Sequence, residues 1–293
     1  MLPKQDQSKQ VEIGQMIDWA TSLLAGSTQS PRLDAEILMG ELISCSRSTI
    51  IAFPERTLSK SLRKNYELLI QRRAKGIPVA YLMGQKEFYS LVLQVSPDTL
   101  VPRPETEMLV DEVISCTSQQ QKASVLDLGT GCGAIALAIK QQRPKFRVVA
   151  VDSSLDALLV AIENGARLGL EVEWICSSWL DSIKHCCFDF VVSNPPYVET
   201  KKIGLISSEL SYEPKKALDG GVDGLDSIRQ ITANLGSVIN HGGKIFFEHG
   251  YEQAPVVAKL LQDSGFFNVK TKKDLAGFAR MTSGQLLLSL IHI

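Results

Sequence analysis

The sequence predicts an α/β protein: a mostly parallel sheet covered by helices on both faces, preceded by a small helical domain and a hairpin connector. Three observations lead there. From about residue 124 onward, short apolar runs alternate with helix-length stretches, the pattern of strand–helix–strand units. A glycine-rich turn, Gly129-Thr130-Gly131-Cys132-Gly133, sits between the first of those strands and its helix. Residues 1–75 read as helices instead. With 293 residues, 44% of them hydrophobic, the chain can bury one large core and a smaller one.

In chain order, the first helices are expected over Ile13 to Leu24, Pro31 to Ile43 and Leu58 to Arg73. Ser30 is placed as the N-cap of the second, with Pro31 at its first position and Leu33, Ile37, Leu38 and Leu42 on one buried face. Residues 76–104 are expected to form a proline-punctuated connector in which Glu87 to Val95 alternate as a hairpin arm, and the larger α/β domain is expected over 105–293. Within it, strands are expected at Ser124 to Leu128, Arg147 to Asp152, Val172 to Cys176, Phe188 to Ser193 and Lys244 to Glu248. Helices are expected at Gly133 to Gln142, Ser154 to Leu168, Leu225 to Ile239 and Tyr251 to Asp263. Phe267 to Lys272 and Arg280 to Leu288, with no helix between them, read as a closing antiparallel hairpin.

Composition narrows the function classes. The 31 basic and 32 acidic residues nearly cancel, which leaves no overall footprint of a protein that wraps nucleic acid. Residues 1–80 carry 11 Lys and Arg against 8 Asp and Glu, a mild excess typical of a solvated surface. The six cysteines, Cys45, Cys116, Cys132, Cys176, Cys186 and Cys187, form no C-x-x-C pair, and His185, His241, His249 and His292 lack metal-ligand spacing. Reduced thiols and no metal site are expected. Without a signal peptide or a run of roughly 20 apolar residues, the expectation is a cytoplasmic protein with no membrane contact, working as a monomer.

Two sequence features carry chemistry. Asp152 ends the second strand about 20 residues beyond the glycines, where a carboxylate can accept hydrogen bonds from both hydroxyls of a ribose, so turn and acid together point to a nucleoside ligand. Asn194-Pro195-Pro196-Tyr197 follows the apolar run Phe188 to Ser193. Two prolines remove two backbone donors and leave carbonyl acceptors, so the turn can grip a planar NH₂ group. The Asn194 side-chain oxygen takes one N–H, a proline carbonyl the other, and Tyr197 offers a flat face. With ordinary residue usage this tetrapeptide arises by chance in such a chain with a probability on the order of 10⁻³. Together, a nucleoside site and an NH₂ grip select S-adenosyl-L-methionine as the ligand and methyl transfer as the reaction.

Several blocks in order carry a resemblance: Arg32-Leu33-Asp34-Ala35-Glu36, Pro78 to Gly84, Val101 to Glu107, Leu126 to Leu137, Val192 to Tyr197, Glu213 to Gly224 and Glu248-His249-Gly250. From about Gln15 onward the chain resembles the HemK/PrmC peptide chain release factor glutamine methyltransferases. The resemblance implies a Rossmann-like class I S-adenosylmethionine-dependent methyltransferase domain. It also implies methyl-donor contacts from Gly129, Thr130, Gly131, Cys132 and Gly133, from Asp152 to the ribose, from Trp179 near the adenine, and from Asn194. Ser178 stands where the family usually has an acidic residue, and a hydroxyl accepts from the adenine amine more weakly than a carboxylate. Trp179 reads equally as an ordinary core aromatic. Arg103, Glu105 and Glu107 stand near the site in sequence, but a capped helix start explains the acids equally well.

A carboxamide nitrogen is a weak nucleophile because its lone pair is conjugated, the conjugation behind the roughly 18–20 kcal/mol barrier of a peptide bond. Asn194 and Pro195 would hold both N–H bonds, and Asn194, Pro195 and Tyr197 form the catalytic set, with Pro196 completing the substrate grip. The turn alone leaves open a protein glutamine and the exocyclic amine of adenine or guanine; a ribosomal-protein glutamine and a catalytically silent adaptor also remain. The family resemblance implies the glutamine of the Gly-Gly-Gln motif of release factors, with residues 1–75 docking the factor.

Overall fold

The computed structural model describes residues 11–183, 188–205 and 209–287. Cys186, Cys187, His185 and His292, and with them part of the thiol and histidine expectation, lie outside the described residues, as do residues 1–10 of the helical domain and Leu288 of the closing hairpin. The other four cysteines are free thiols. Two compact units emerge: Met1–Gly84 with Ser207–Tyr212, and Gln85–Ile206 with Glu213–Ile293.

The first unit contains β1 (Val11–Glu12), α1 (Ile13–Leu24), α2 (Pro31–Leu42), α3 (Arg47–Ala52), β2 (Thr57–Leu58), α4 (Lys60–Ala74) and α5 (Val79–Met83). Its core gathers Ile13, Ile17, Leu24, Leu38, Tyr66 and Ile70. Helix α2 departs from expectation in two ways. Its buried face is Ala35, Leu38 and Met39 together with Asp34 and Glu36, while Leu33 stays 39% exposed. The reason is ion pairing: Arg73, 2% exposed, donates Nε–H to Asp34 at 2.8 Å, and Glu36 accepts from Arg32 and Arg47 at 2.9 and 2.6 Å. Ser30 precedes the helix but does not cap it with its side chain, because its hydroxyl donates to Asp34 Oδ1 at 2.9 Å. Ser59, by contrast, caps α4 by accepting from the Leu62 amide. The unit extends past residue 75 to Gly84 because Val79, Leu82 and Met83 of α5 pack on the same core.

The second unit opens with the hairpin β3 (Gln85–Phe88) and β4 (Leu91–Gln94), whose two-residue turn has Tyr89 at φ 50 and Ser90 at φ 62. A 3₁₀ turn over Pro104–Thr106 leads into α6 (Glu107–Ser115). Then follow β5 (Ser124–Leu128), α7 (Ala134–Gln142), β6 (Arg147–Asp152), α8 (Leu155–Leu168), β7 (Glu173–Cys176), β8 (Phe188–Ser193), α9 (Lys215–Leu218), α10 (Asp226–Leu235), β9 (Ile239–Glu248), α11 (Ala254–Asp263), β10 (Phe266–Lys273) and β11 (Ala279–Leu286). The seven-stranded sheet runs β10-β11-β9-β8-β5-β6-β7, and β11 alone pairs antiparallel with both neighbours. Helix α10 ends four residues earlier than expected and β9 begins five earlier, because Ile239 pairs with Phe188 before a shift at Phe190. Helix α11 starts at Ala254 rather than Tyr251, since the Gln253 side chain turns back to accept from the Gly250 amide at 2.8 Å. Apolar residues from the central strands, with Leu225, Ile228, Ile231, Val257 and Leu261, form the main core. The chain leaves β5 toward β6 on one side and returns as β8 on the other, so the crevice at the carboxyl ends of β5 and β8 is a topological switch point.

Candidate active site

Strand register alone aligns the site. Leu128 pairs with Val151 on one side and Ser193 on the other, and Ser193 pairs with Phe247. The next residue on each strand is Gly129, Asp152, Asn194 and Glu248, a row of four along one sheet edge. The Ser193 hydroxyl donates to the Leu128 carbonyl at 2.7 Å and ties the two central strand ends together.

A cavity of about 290 Å³ opens on this edge, lined by Gly129, Gly131, Asp152, Ser178, Trp179 and Asn194 among others. Gly129 has φ +76, and a Cβ there would stand 3.3 Å from Trp179 Cζ3, so the missing side chain is what lets the indole lie across the turn. Trp179 itself has φ 42, an unusual backbone for a bulky residue, and its ring both lines the cavity and packs on the main core. The ring is thus a core aromatic with one part turned to the cavity. Asp152 Oδ2 accepts from the Gly131 amide at 2.8 Å and Oδ1 from the Ser154 amide at 2.9 Å, so the carboxylate braces the glycine turn while each oxygen keeps acceptor capacity.

Not every expected ligand residue faces the cavity. Thr130 is buried and its hydroxyl donates to Asp127 Oδ2 at 2.7 Å, and Cys132 is buried, with desolvation pushing its thiol up to about 12. A Cβ on Gly133 would meet Leu137, Trp174 and Ala161 at 3.1 to 3.2 Å, which marks a packing position. Asp127, absent from the sequence expectations, is fully buried, and burial raises its carboxyl to about 7. Among the described residues, its Oδ1 is a buried side-chain oxygen without a hydrogen-bond partner, an acceptor directed at no protein donor. A carboxylate at the cavity wall, Asp152, suits a ligand with hydroxyls and disfavours a phosphate.

Asn194 and Pro196 line the cavity, while Pro195 is buried and is not among the lining residues. Asn194 Nδ2 donates to Thr106 Oγ1 at 3.0 Å, and Thr106 Oγ1 donates to Glu248 Oε2 at 2.7 Å. The Tyr197 hydroxyl donates to Glu248 Oε1 at 3.2 Å, and its carbonyl accepts from Gln253 Nε2 at 3.0 Å. Thr106 and Glu248 were not singled out from sequence; they come from strand and turn segments 142 residues apart, and the only sequence signal was their presence in two of the matching blocks. Arg103 is paired with Glu213, which also accepts from the Val101 amide at 3.0 Å, and Glu107 accepts from the Tyr89 amide at 2.9 Å. Both are thus occupied in holding the connector. Among the described residues, no group of three or more His, Cys, Asp or Glu is arranged to hold a metal ion, and no helix is long and apolar enough to cross a membrane.

Comparison with known proteins places these features in context. The profile of the PrmC N-terminal domain matches residues 15–84, and that of the methyltransferase small domain matches residues 105–221. The release factor glutamine methyltransferase of Coxiella burnetii is 40% identical over 255 residues, covering 87% of this chain and 91% of that protein. That of Salmonella typhimurium is 39% identical over 259 residues, covering 88% and 93%. Among solved structures, the T. thermophilus 16S rRNA N2 G1207 methyltransferase in complex with AdoMet and guanosine superposes with a TM-score of 0.53 at 17% identity, covering 69% of this chain and 49% of that one. A methyltransferase from Pyrococcus furiosus gives 0.52 at 16% identity, covering 77% and 100%. These two likenesses establish the fold.

Proposed function

The chain belongs to the release factor glutamine methyltransferase family, and from that premise we propose that it transfers a methyl group from S-adenosylmethionine to the side-chain amide nitrogen of the glutamine in the Gly-Gly-Gln motif of peptide chain release factors. The observation that carries the reading is the Asn194 amide, held by Thr106 through its NH₂ beside the cavity at the switch point. That bond leaves Oδ1, the acceptor end, for a substrate N–H.

The donor's fit rests on this chain's own groups: the Gly129 and Gly131 backbone, the Asp152 carboxylate for two hydroxyls, Ser178 and Trp179 as the wall for a base, and Asp127 Oδ1 as an unpartnered acceptor near the turn. When bound, S-adenosylmethionine supplies an activated methyl on a sulfonium that departs as a neutral thioether. Asn194 Oδ1 and the Pro195 carbonyl accept from the two amide N–H groups, orient the nitrogen, and stabilise positive charge developing on it; the methylated nitrogen is acidic and then releases one of its protons to solvent. The Thr106 bond orients the Asn194 acceptor before the reaction, so that group needs no reorganisation during it.

The test is a methyl-transfer assay with purified release factor, free RNA, free DNA and ribosomal proteins offered in parallel, with the modified residue located by mass spectrometry. Transfer to the Gly-Gly-Gln glutamine is expected; methylation confined to a nucleic acid or to another protein would overturn the assignment.

A further inference from the structure

We propose that Glu248 is a positioning residue that sets the polarity of the Asn194 amide through Thr106, and so decides which end of that amide a substrate meets. This rests on the reading of the Asn194 turn as the amide-binding element. Glu248 ends β9 and is 3% exposed. Oε2 accepts from Thr106 and Oε1 from Tyr197, so one buried carboxylate anchors both ends of Asn194–Tyr197.

An ionised carboxylate has no proton to give, so Thr106 must donate to it. A hydroxyl carries one proton, and with that proton committed Thr106 can only accept from Asn194. The NH₂ of Asn194 is thereby turned to Thr106, as observed, and Oδ1 is left as the outward acceptor. Protonating Glu248 removes the constraint. The acid can then donate to Thr106, Thr106 can donate to Asn194 Oδ1, and the flipped amide presents N–H where an N–H-bearing substrate needs an oxygen. The positional signal thus travels as a donor–acceptor alternation along three side chains.

The surroundings allow that switch near neutrality. Burial pushes the Glu248 carboxyl up to about 7, opposed by the hydroxyls of Thr106 and Tyr197; Glu105, in the 3₁₀ turn before α6, raises it further, and Arg280 on β11 lowers it. Tyr197 is itself held protonated, since burial and the Glu248 charge raise its phenol. His249, the next residue along, faces Thr282 and Gly250, and burial lowers the pKa of its imidazole.

The experiment uses the full chain with Glu248→Gln, Thr106→Val and Thr106→Ser. It reads kcat, both KM values and the pH profile, together with the side-chain amide resonances of Asn194 and the carboxyl resonance of Glu248 in the ligand-free protein. Wild-type kcat should rise with pH through about 7, and the Asn194 amide resonances should move in step with the Glu248 titration. Thr106→Val should lower kcat about 10- to 100-fold with KM little changed and should abolish that coupling. Thr106→Ser should restore both, and Glu248→Gln should flatten the pH profile; if its thermal melt shows it unfolded, the two Thr106 variants decide. Wild-type kcat in Thr106→Val, or Asn194 resonances indifferent to Glu248, would overturn the inference. Because the resonances are read without substrate, coupling in a protein that methylates no release factor would sink the proposed function and leave the Glu248 role standing.

Discussion

Replacing Asn194 by alanine removes a side chain whose donor end is held by Thr106 and whose acceptor end remains for a substrate. Transfer should fall roughly 10²–10³-fold, the scale of a lost transition-state hydrogen bond, while calorimetry should show donor affinity falling much less. A parallel collapse of affinity would make Asn194 a donor-binding residue instead. Asp152→Ala should act the other way. It removes an acceptor for ribose hydroxyls and also frees the Gly131 and Ser154 amides it braces, so S-adenosylmethionine and S-adenosylhomocysteine should both weaken by about 1.5–3 kcal/mol. Unchanged product affinity would sink that role.

Among the elements, α2 and α4 share the apolar core of the first unit and are also joined by a buried charge pair. Arg73 is 2% exposed and bonded to Asp34, to the Ile77 carbonyl at 3.2 Å and to Glu209. Arg73→Ala leaves Asp34 buried beside an absent partner, and the expected loss is about 3–5 kcal/mol, read by denaturant unfolding. Arg73→Leu combined with Asp34→Leu should cost much less than the two single changes together, because no lone charge remains. An additive double mutant would show that the pair does not interact. In the second unit, the turn after β8 is supported from behind by Gly224, at φ +76, where a Cβ would lie 2.3 Å from the Tyr197 carbonyl oxygen. Gly224→Ala is therefore expected to displace the tetrapeptide and reduce kcat more than donor affinity.

Across the whole molecule, two buried carboxyls bend the pH dependence of stability. Asp127 is raised from 3.8 and Glu248 from 4.5, each to about 7, by burial. A carboxyl with a raised folded-state pKa binds protons on folding between its two values, so these groups make the fold less stable as pH rises from 3.8 for Asp127 and 4.5 for Glu248 to about 7. Asp127→Asn should flatten that slope in thermal melts; an unaltered slope would show that Asp127 is not the titrating group. The division of labour between the units is a second expectation at this scale. If the helical unit recognises the release factor, deleting it from a catalytic unit that stays folded should raise KM for the intact factor, while a short Gly-Gly-Gln peptide is methylated slowly and at similar rates by both proteins. Equal efficiency of the folded truncation on the intact factor would remove the docking role.

Sequence by itself determined the local objects: helix α1 to the residue, the strands β5, β6 and β8, the glycine turn, and the placement of Asp152 and Asn194 at strand ends. Period and punctuation encode these because each depends on neighbours within a few residues. Tertiary structure decided the rest. The buried face of α2 was set by Arg73, 39 residues beyond Asp34, and no helical periodicity anticipates an ion pair. Thr130 and Cys132 are buried, Thr130 donating to Asp127, while Gly129 and Gly131, before and between them, offer only backbone to the cavity. The chain Asn194–Thr106–Glu248 required β8 and β9 to lie adjacent with α6 beginning against them, and strand order is a property of the folded sheet, where residues distant in sequence become hydrogen-bonding neighbours.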